Sequence, residues 1–312
     1  MRRALVKGGL GAAIHGPLEG KGRLYLNVGH TGLNDPRFRR WLGQNDVRPI
    51  YFVHDLIPVT HPEFCRQGEM PKHHERMRTV LSTGTGIVAN SEATLRDLEA
   101  FAQAEKLTVP PSLAALLGST PFERHEPSKA INTRPYFVIL GTIEARKNHL
   151  MLLHVWTRMV EKLGDSAPQL LVIGQRGWEA EQVLDILDRG ERLKGTVVEI
   201  GGCSDQELTD YLVNARALLF PSLVEGYGLP LVEALRSGTP AIASDLAVFR
   251  EIAQDVPDYL DPLDGPAWER AILDFAQADS AMRLAQLSRL EGYNAPTWAD
   301  HFEAVEAWMT TL

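Results

Sequence analysis

The 312-residue sequence has only two cysteines, Cys65 and Cys203, which excludes a fold held by a framework of disulfides. Nothing near either cysteine has the spacing of a metal-ligand motif. No apolar run approaches the roughly 18 to 20 residues that a membrane span needs. The first residues also lack the long apolar stretch of a signal peptide. These absences predict a soluble protein of the reducing cytoplasm.

Positive charge is also scarce, since 32 Lys and Arg residues stand against 40 Asp and Glu and give a net charge of -8. A general nucleic-acid binder carries a basic surface, so this class of partner is excluded. The charge is uneven, because residues 1–80 hold 13 basic and 7 acidic side chains, and the rest of the chain holds 19 and 33. Two basic groups in the first part are suited to an anionic lipid surface, although a solvated helix face is the alternative: Arg37, Arg39 and Arg40, and Lys72, Arg76 and Arg78.

Short apolar runs alternate with longer amphipathic stretches in the second half of the chain, which is the pattern of βα units on a parallel sheet. The predicted strands are residues 136–140, 170–173, 197–200, 217–220 and 241–243. Predicted helices start near Asn148, at a capping box from Ser204 to Glu207, and at Leu229. We therefore predict an α/β fold with a doubly wound second domain.

The first half shows fewer strands, at residues 24–28, 50–53 and 87–89, and one clear helix capped by Ser91. Residues 107–135 hold five prolines and few apolar runs, so we place the hinge between two domains there. A final amphipathic helix is expected to pack on a domain surface through one face, formed by Trp298, Phe302, Val305 and Trp308. The predicted units are residues 1–130, 131–290 and 291–312.

The strongest chemical signal is a strand, a glycine loop and a helix start at residues 220–235, with the sequence FPSLVEGYGLPLVEAL. Gly226 and Gly228 let the backbone approach a ligand, and the free N–H groups of the following helix favour an anion. Glu225 and Glu233 lie about two helical turns apart and suit sugar hydroxyls. The pattern indicates a sugar nucleotide held between two carboxylates. In the alternative, Glu225 caps a turn and Glu233 is solvated.

A second signal follows the first strand of the same domain, where Gly141 and Thr142 lead to Arg146, Lys147 and Asn148. Open parallel sheets bind ligands at the carboxyl ends of their strands. Two adjacent cations at such an end would neutralise a diphosphate. The alternative is an ordinary pair of surface cations.

The two signals together resemble the nucleotide-sugar domain of the family 4 retaining glycosyltransferases. Glu225 and Glu233 match that family's Glu-x7-Glu motif, Pro221 and Ser222 fit before it, and residues 238–240 fit after it. The resemblance runs from about residue 51 to the final helix. It implies the GT-B architecture, in which two Rossmann-like domains with parallel sheets face each other. Relatives have further βα units before the strand that leads to His54, so the resemblance implies a shortened N-terminal domain, for which the glycines at residues 8–11 are a poor substitute.

The resemblance also assigns roles in donor binding. It implies that Glu225 contacts the donor hexose and Glu233 the nucleotide ribose, and that the loop 200–204 lies near the base. The backbone of the glycine loop would hold phosphate and sugar through Gly226, Tyr227, Gly228 and Leu229. Lys147 matches the family's phosphate clamp, whereas Thr142 stands where the family usually has an Arg. Arg146 would supply that charge, as in the Arg-Lys-Asn variant of the motif.

The segment of His54 and Asp55 resembles the family's His-Asp segment, which faces the donor sugar across the cleft. The resemblance therefore makes His54, Asp55 and Glu225 the candidate catalytic residues, although a histidine on an apolar strand is also common as a core residue. His54 with His61, His73 and His74 would need unusual geometry to bind a metal, and the chain has no Asp-x-Asp motif. The resemblance implies no metal and no cofactor, with the sugar nucleotide as a substrate.

The implied reaction is transfer of a hexose, mannose or glucose, from a GDP- or UDP-sugar with retention at the anomeric carbon. The acceptor would be a saccharide or a lipid-linked saccharide of bacterial surface polysaccharide synthesis, reached at the inner face of the plasma membrane. Two alternatives stay open at this point. One is a non-catalytic sugar-nucleotide-binding or assembly subunit that has lost part of its N-terminal domain. The other is a sugar-nucleotide epimerase, which the Glu-x7-Glu element fits less well.

Overall fold

A computed structural model describes residues 22–119 and 134–312. The glycines at residues 8–11 and the predicted domain boundary at residue 130 lie outside the described residues. Within them the chain forms two Rossmann-like α/β domains with parallel sheets and a C-terminal helix, as predicted. No helix of this described part is long and apolar enough to cross a membrane.

The N-terminal domain contains a parallel sheet of four strands among its described residues. The strands are β1 (Leu24–Asn27), β2 (Arg48–Val53), β3 (Gly86–Ala89) and β4 (Ser112–Ala114), in that order across the sheet. The helices are α1 (Pro36–Asn45), α2 (Ile57–Thr60), α3 (Glu69–Thr83) and α4 (Glu92–Glu105). Ser91 caps α4 as predicted, because its hydroxyl accepts the Thr94 N–H. The predicted hinge is wrong in one respect, since β4 lies inside it.

The C-terminal domain contains a parallel sheet of six strands. The strands are β5 (Tyr136–Leu140), β6 (Gln169–Ile173), β7 (Val197–Ile200), β8 (Leu218–Phe220), β9 (Ala241–Ser244) and β10 (Asp258–Leu260). The helices are α5 (His149–Leu163), α6 (Glu181–Arg189), α7 (Asp205–Val213), α8 (Leu229–Arg236), α9 (Ala247–Ala253), α10 (Gly265–Ala276) and α11 (Ala281–Glu291). The sequence pattern predicted these strands except β10, and the capping box of Ser204 and Glu207 is present.

The order of strands across this sheet is β10-β9-β8-β5-β6-β7. The chain therefore starts at β5 in the middle, builds outward on one side and then crosses back to β8. Ligands of open parallel sheets bind where the strand order reverses in this way, at the carboxyl ends of the strands. Here that point lies between β5 and β8, so the loops that begin at Gly141 and at Pro221 are neighbours.

The C-terminal helix α12 (Trp298–Met309) packs on the N-terminal domain, as predicted, through a face that includes Val305 and Trp308 of the four residues expected there. Val305, Trp308 and Met309 contact the sheet, and His301 is also buried. Trp298 and Phe302, which we expected on the packed face, are 41% and 54% exposed. The two rings stack on each other at 5.8 Å between centroids. The buried face of α12 is thus rotated away from residues 298 and 302 and consists of residues 301, 305 and 308, which are also spaced three or four positions apart.

His149, the first residue of α5, has a side chain enclosed in the core of the C-terminal domain. It is 3% exposed, and neither ring nitrogen has a hydrogen-bond partner. Burial, assisted by the Lys147 charge, lowers its pKa from 6.5 to about 4. Between these two pH values the unfolded chain holds a proton that the folded chain lacks. Acid therefore favours unfolding, by about 1.4 kcal/mol for each pH unit.

We expect His149→Leu to weaken this acid sensitivity. On going from about pH 7.5 to about pH 5, the variant should lose about 2 kcal/mol less stability than the wild type. Urea denaturation at both pH values measures the difference. His154→Leu, on the exposed side of the same helix, is the control and should keep the wild-type pH dependence. Equal losses in the wild type and His149→Leu would contradict the prediction.

Candidate functional site

The loops after β5 and β8 are joined where the strand order reverses. Asn148 has a left-handed backbone with φ of 58°. This conformation lets its side-chain amide donate to the carbonyls of Pro221 at 3.2 Å and Pro262 at 2.9 Å. The Leu223 N–H donates to the Arg146 carbonyl at 2.8 Å. These bonds fix the segment that carries the two predicted cations beside the segment that carries Glu225.

Glu225 is the centre of a buried cluster of charges. One carboxylate oxygen accepts from the Lys147 ammonium, and the same oxygen accepts from the Ser222 hydroxyl at 2.8 Å. The other oxygen accepts from the Arg146 guanidinium at 2.7 Å. The side chain is only 7% exposed, and burial by itself would raise its pKa. The charges of Lys147 and Arg146 outweigh burial and hold the pKa of Glu225 below its usual range.

The two cations of the cluster are themselves largely buried. The Lys147 side chain is 9% exposed and its ammonium lies 4.9 Å from the centre of the Phe220 ring. Arg146 also pairs with the Glu144 carboxylate at 3.1 Å. Buried charges are retained only where partners compensate them. The cluster therefore holds two cations at the carboxyl ends of β5 and β8, with their charges compensated by two carboxylates.

His54 and Asp55, from the N-terminal domain, lie directly opposite the glycine loop. A Cβ added to Gly226 would stand 2.7 Å from the Asp55 Cβ and 2.8 Å from the His54 carbonyl oxygen. Only glycine fits this approach between the two domains. One His54 ring nitrogen lies 2.7 Å from the Val28 carbonyl, and Asp55 accepts the Ile57 N–H at 3.1 Å. The structure thus brings His54 and Asp55 next to the loop of Glu225, and their contact with a donor sugar stays a prediction.

A cavity of about 190 Å³ opens between the two domains at Glu225. Ala93, Arg96 and Asp97 line it from α4, and Glu225 lines it from the C-terminal domain. The rest of the wall is apolar and comes from Val224, Leu246, Ala247 and Val248. Apolar walls with a few converging polar groups are typical of small-molecule sites.

Residues 121–257, which include this cluster, match the family model described as glycosyl transferases group 1. This part of the chain, the group 1 domain, is thus similar to the glycosyl transferases of that group. The mannosyltransferase WbdA of Escherichia coli, described as serotype-specific, is 27% identical over 220 residues, which are 66% of this chain and 27% of that protein. The O-antigen chain mannosyltransferase B of the same species is 31% identical over 163 residues, 52% of this chain and 42% of that protein.

The chain thus spans about a quarter to two fifths of the length of these curated relatives. Among solved structures, sucrose-phosphate synthase from Thermosynechococcus elongatus superposes with a TM-score of 0.71. The match covers 92% of this chain and 73% of that one at 18% sequence identity. The likeness establishes the GT-B fold of two facing Rossmann-like domains.

The second carboxylate of the motif, Glu233, lies half-buried on the helix α8 of the group 1 domain. Burial, with a smaller effect from the Asp205 carboxylate, raises its pKa above the usual value. No hydrogen bond or ion pair reaches its carboxylate from the described residues. Because Asp205 follows the loop 200–204, Glu233 lies on the side of the group 1 domain where the resemblance puts the nucleotide.

The remaining predicted donor-binding residues take different positions around the glycine loop. Gly228 has φ of 118°, and a Cβ there would stand 2.9 Å from the Phe249 ring. Leu229 begins α8. Tyr227 is buried and its hydroxyl donates to the Leu117 carbonyl at 2.7 Å, which leaves only its backbone for a ligand. Gly141 and Thr142 follow β5 directly and are half-buried. Their role in donor binding stays a prediction.

Most basic side chains singled out in the N-terminal domain pair with carboxylates. Arg37 pairs with Asp35, Arg39 with Glu75, Lys72 and Arg76 with Glu69, and Arg78 with Glu105. These pairs leave fewer uncompensated basic side chains for contact with an anionic surface. His73 is buried and one of its ring nitrogens lies 3.1 Å from the Asp55 carbonyl, while His74 pairs with Glu105. In the part of the chain that the structure describes, no group of three or more His, Cys, Asp or Glu is arranged to hold a metal.

Sequence reasoning missed the residues that join the group 1 domain to the N-terminal domain. The Thr94 hydroxyl donates to the Gly226 carbonyl at 3.2 Å, and the Arg66 guanidinium lies 4.2 Å from the centre of the Trp178 ring. His30, whose pKa is lowered to about 3 chiefly by burial, packs edge-on against His54 and His73. Arg66, Thr94, Trp178 and His30 belong to none of the motifs in the sequence, so no local pattern marks them.

Proposed function

We propose that this chain is a retaining glycosyltransferase of bacterial surface polysaccharide synthesis. It transfers a hexose, mannose or glucose, from a GDP- or UDP-sugar to a hydroxyl of a saccharide or a lipid-linked saccharide. The observation that carries the proposal is the buried cluster of Glu225, Arg146 and Lys147 facing His54 and Asp55 across the interdomain cleft. The two curated relatives described above are both mannosyltransferases, so mannose is the first hexose to test.

The two cations of the cluster, Lys147 and Arg146, can exchange a carboxylate partner for a diphosphate. Without a ligand, Glu225 takes one bond from each of the two cations. A diphosphate carries more negative charge than one carboxylate and would compete for Lys147 and Arg146. The Glu225 oxygens would then be free to accept hydroxyl protons of the hexose in the adjoining cavity. The positive end of the α8 helix dipole adds a partial positive charge at the same place.

In the proposed reaction, the bond between the anomeric carbon and the phosphate oxygen breaks as the acceptor hydroxyl oxygen bonds to that carbon from the same face. The hydroxyl proton passes to the departing phosphate. Lys147 and Arg146 stabilise the charge that develops on the phosphate, and such preorganised stabilisation is commonly the largest contribution to catalysis. The proposal assigns His54 and Asp55 to the hexose side of the cleft, and it includes no divalent cation or cofactor.

A lipid-linked acceptor would bring the N-terminal domain to the inner face of the plasma membrane. The basic side chains of that domain favour contact with anionic headgroups. Their pairing with carboxylates makes that attraction weaker. The proposal therefore includes both saccharide and lipid-linked acceptors, and peripheral membrane contact belongs only to the second.

Calorimetric titration with UDP, GDP and ADP tests the donor site, using the wild type and Glu233→Gln. We expect one nucleotide to bind, and Glu233→Gln to raise its Kd about tenfold or more, because a hydrogen bond to a charged acceptor contributes about 1.5 to 3 kcal/mol. Asp279→Asn, at an exposed carboxylate of the same domain, is the control and should bind as the wild type does.

The preferred nucleotide then defines the donor for a transfer assay, with and without EDTA. NMR of the product gives the anomeric configuration, and we expect retention and no effect of EDTA. Binding of a nucleotide without transfer or donor hydrolysis would favour the non-catalytic sugar-nucleotide-binding subunit. A folded chain that binds none of the three nucleotides would overturn the donor site itself.

A further inference from the structure

A single carboxylate of the C-terminal domain reaches across to the first turn of α4 in the N-terminal domain. One oxygen of Glu251 accepts the Glu92 N–H at 2.7 Å, and the other accepts the Ala93 N–H at 3.0 Å. Glu251 lies on α9, which follows β9 at the same edge of the sheet as the candidate site. We name these two bonds the Glu251–α4 contact.

The contact completes the capping of α4. The first N–H groups of a helix have no partner inside the helix. The Ser91 hydroxyl accepts the Thr94 N–H at 3.0 Å, and Glu251 accepts the N–H groups of the two residues between them. A carboxylate at this end also meets the positive end of the helix dipole. The helix of one domain is therefore capped in part by the other domain.

The same turn of α4 forms a wall of the candidate site. Ala93 lines the interdomain cavity and donates its N–H to Glu251. Ala247 and Val248, one turn before Glu251 on α9, line the cavity from the opposite side. The Thr94 hydroxyl, in the same turn as Ala93, donates to the Gly226 carbonyl beside Glu225. The distance between the two walls, and the place of the glycine loop against Asp55, thus depend on where α4 is held.

We propose that Glu251 is a positioning residue, which holds α4 against the glycine loop and so sets the width of the site for hexose transfer. The expected effect of Glu251 on turnover rests on the proposed function. Its expected effect on the arrangement of the two domains is independent of that function. Removal of the carboxylate leaves two N–H groups of α4 without a partner in the protein. If α4 moves away from α9, water can accept these two N–H groups in place of Glu251. The residues that bind nucleotide lie in the C-terminal domain alone and keep their geometry.

The test compares Glu251→Ala and Glu251→Gln with the wild type. Because misplacement of reacting groups by about 1 Å can cost a factor of 10², we expect Glu251→Ala to lower kcat by about 10- to 100-fold. The Kd of the nucleotide should stay within about twofold, since the two sites share no partner. Glu251→Gln keeps the volume of the side chain but has only one oxygen that can accept a hydrogen bond. Its kcat should therefore lie between those of the wild type and Glu251→Ala. Asp255→Ala removes an exposed carboxylate close to the end of α9 and is the control.

The arrangement of the domains has its own readout at Trp178, whose ring is covered by Arg66 of the N-terminal domain. In protein labelled with 5-fluorotryptophan, the ¹⁹F resonance that is lost in Trp178→Phe reports on this contact. We expect Glu251→Ala to move that resonance towards its position in Arg66→Ala. Asp255→Ala should leave the resonance at its wild-type position.

The two readouts separate failure of the inference from failure of the proposed function. A wild type that transfers no hexose would contradict the proposed function, while the Trp178 resonance would still test the Glu251–α4 contact. An active wild type with unchanged kcat and an unchanged Trp178 resonance in Glu251→Ala would overturn the positioning role. If Glu251→Ala loses nucleotide binding together with activity, the residue supports the whole fold, and the positioning role is again overturned.

Discussion

Lys147→Met is expected to lower the rate of the proposed hexose transfer by about 10²- to 10³-fold, the usual loss when one preorganised group that stabilises a developing charge is removed. Methionine keeps most of the length of the side chain and removes the ammonium that lies between Glu225 and the Phe220 ring. The departing phosphate would lose one of its two nearby cations. Single-turnover measurements with a saturating donor separate this loss from weaker donor binding.

The control for this substitution is Lys194→Met, which removes an exposed lysine that pairs with Glu191. It should transfer hexose at the wild-type rate. Glu225 keeps its bonds from Arg146 and Ser222 in Lys147→Met, so the variant should remain folded by circular dichroism. Wild-type transfer by Lys147→Met would mean that this lysine is only the counter-ion of Glu225, and that the diphosphate is neutralised elsewhere.

The sheets were predictable where burial on both faces produces a continuous apolar run. Strands β3 and β8 are buried at every residue, and the apolar runs of the sequence predict both. Strands β4 and β10 have three residues each and are only half-buried, because they lie at the edges of the two sheets. An edge strand of this length has no apolar run to mark it, so β4 fell inside the predicted hinge and β10 was missed.

The candidate site was predictable where its residues are close in sequence or follow neighbouring strands. Glu225 and Lys147 follow β8 and β5, which the topology makes neighbours, and their motifs pointed to the same ligand. The Glu251–α4 contact joins residues 159 positions apart. It depends on how two domains face each other, which a hydrophobic pattern or a local motif does not encode. The interdomain half of the site therefore required the structure.

Glu225→Ala is expected to produce the largest loss of stability among the substitutions considered. It leaves Lys147 and Arg146 in a buried place without their shared carboxylate. Breaking a buried ion pair from one side commonly costs about 3 to 5 kcal/mol, because the remaining charge is desolvated and uncompensated. Arg146 retains Glu144, so most of the cost falls on Lys147. Urea denaturation monitored by circular dichroism measures the free energy of unfolding.

If the uncompensated lysine is the cause, removing it as well should restore stability. We expect the double variant Glu225→Ala with Lys147→Met to be more stable than Glu225→Ala alone by about 1 to 3 kcal/mol, a coupling typical of residues in one charged network. Ser222→Ala removes one hydrogen bond to Glu225 and keeps both ion pairs, so it should cost only about 1 kcal/mol. Equal stability of the single and double variants would show instead that Glu225 stabilises the domain by packing and hydrogen bonding, with no share from its charge.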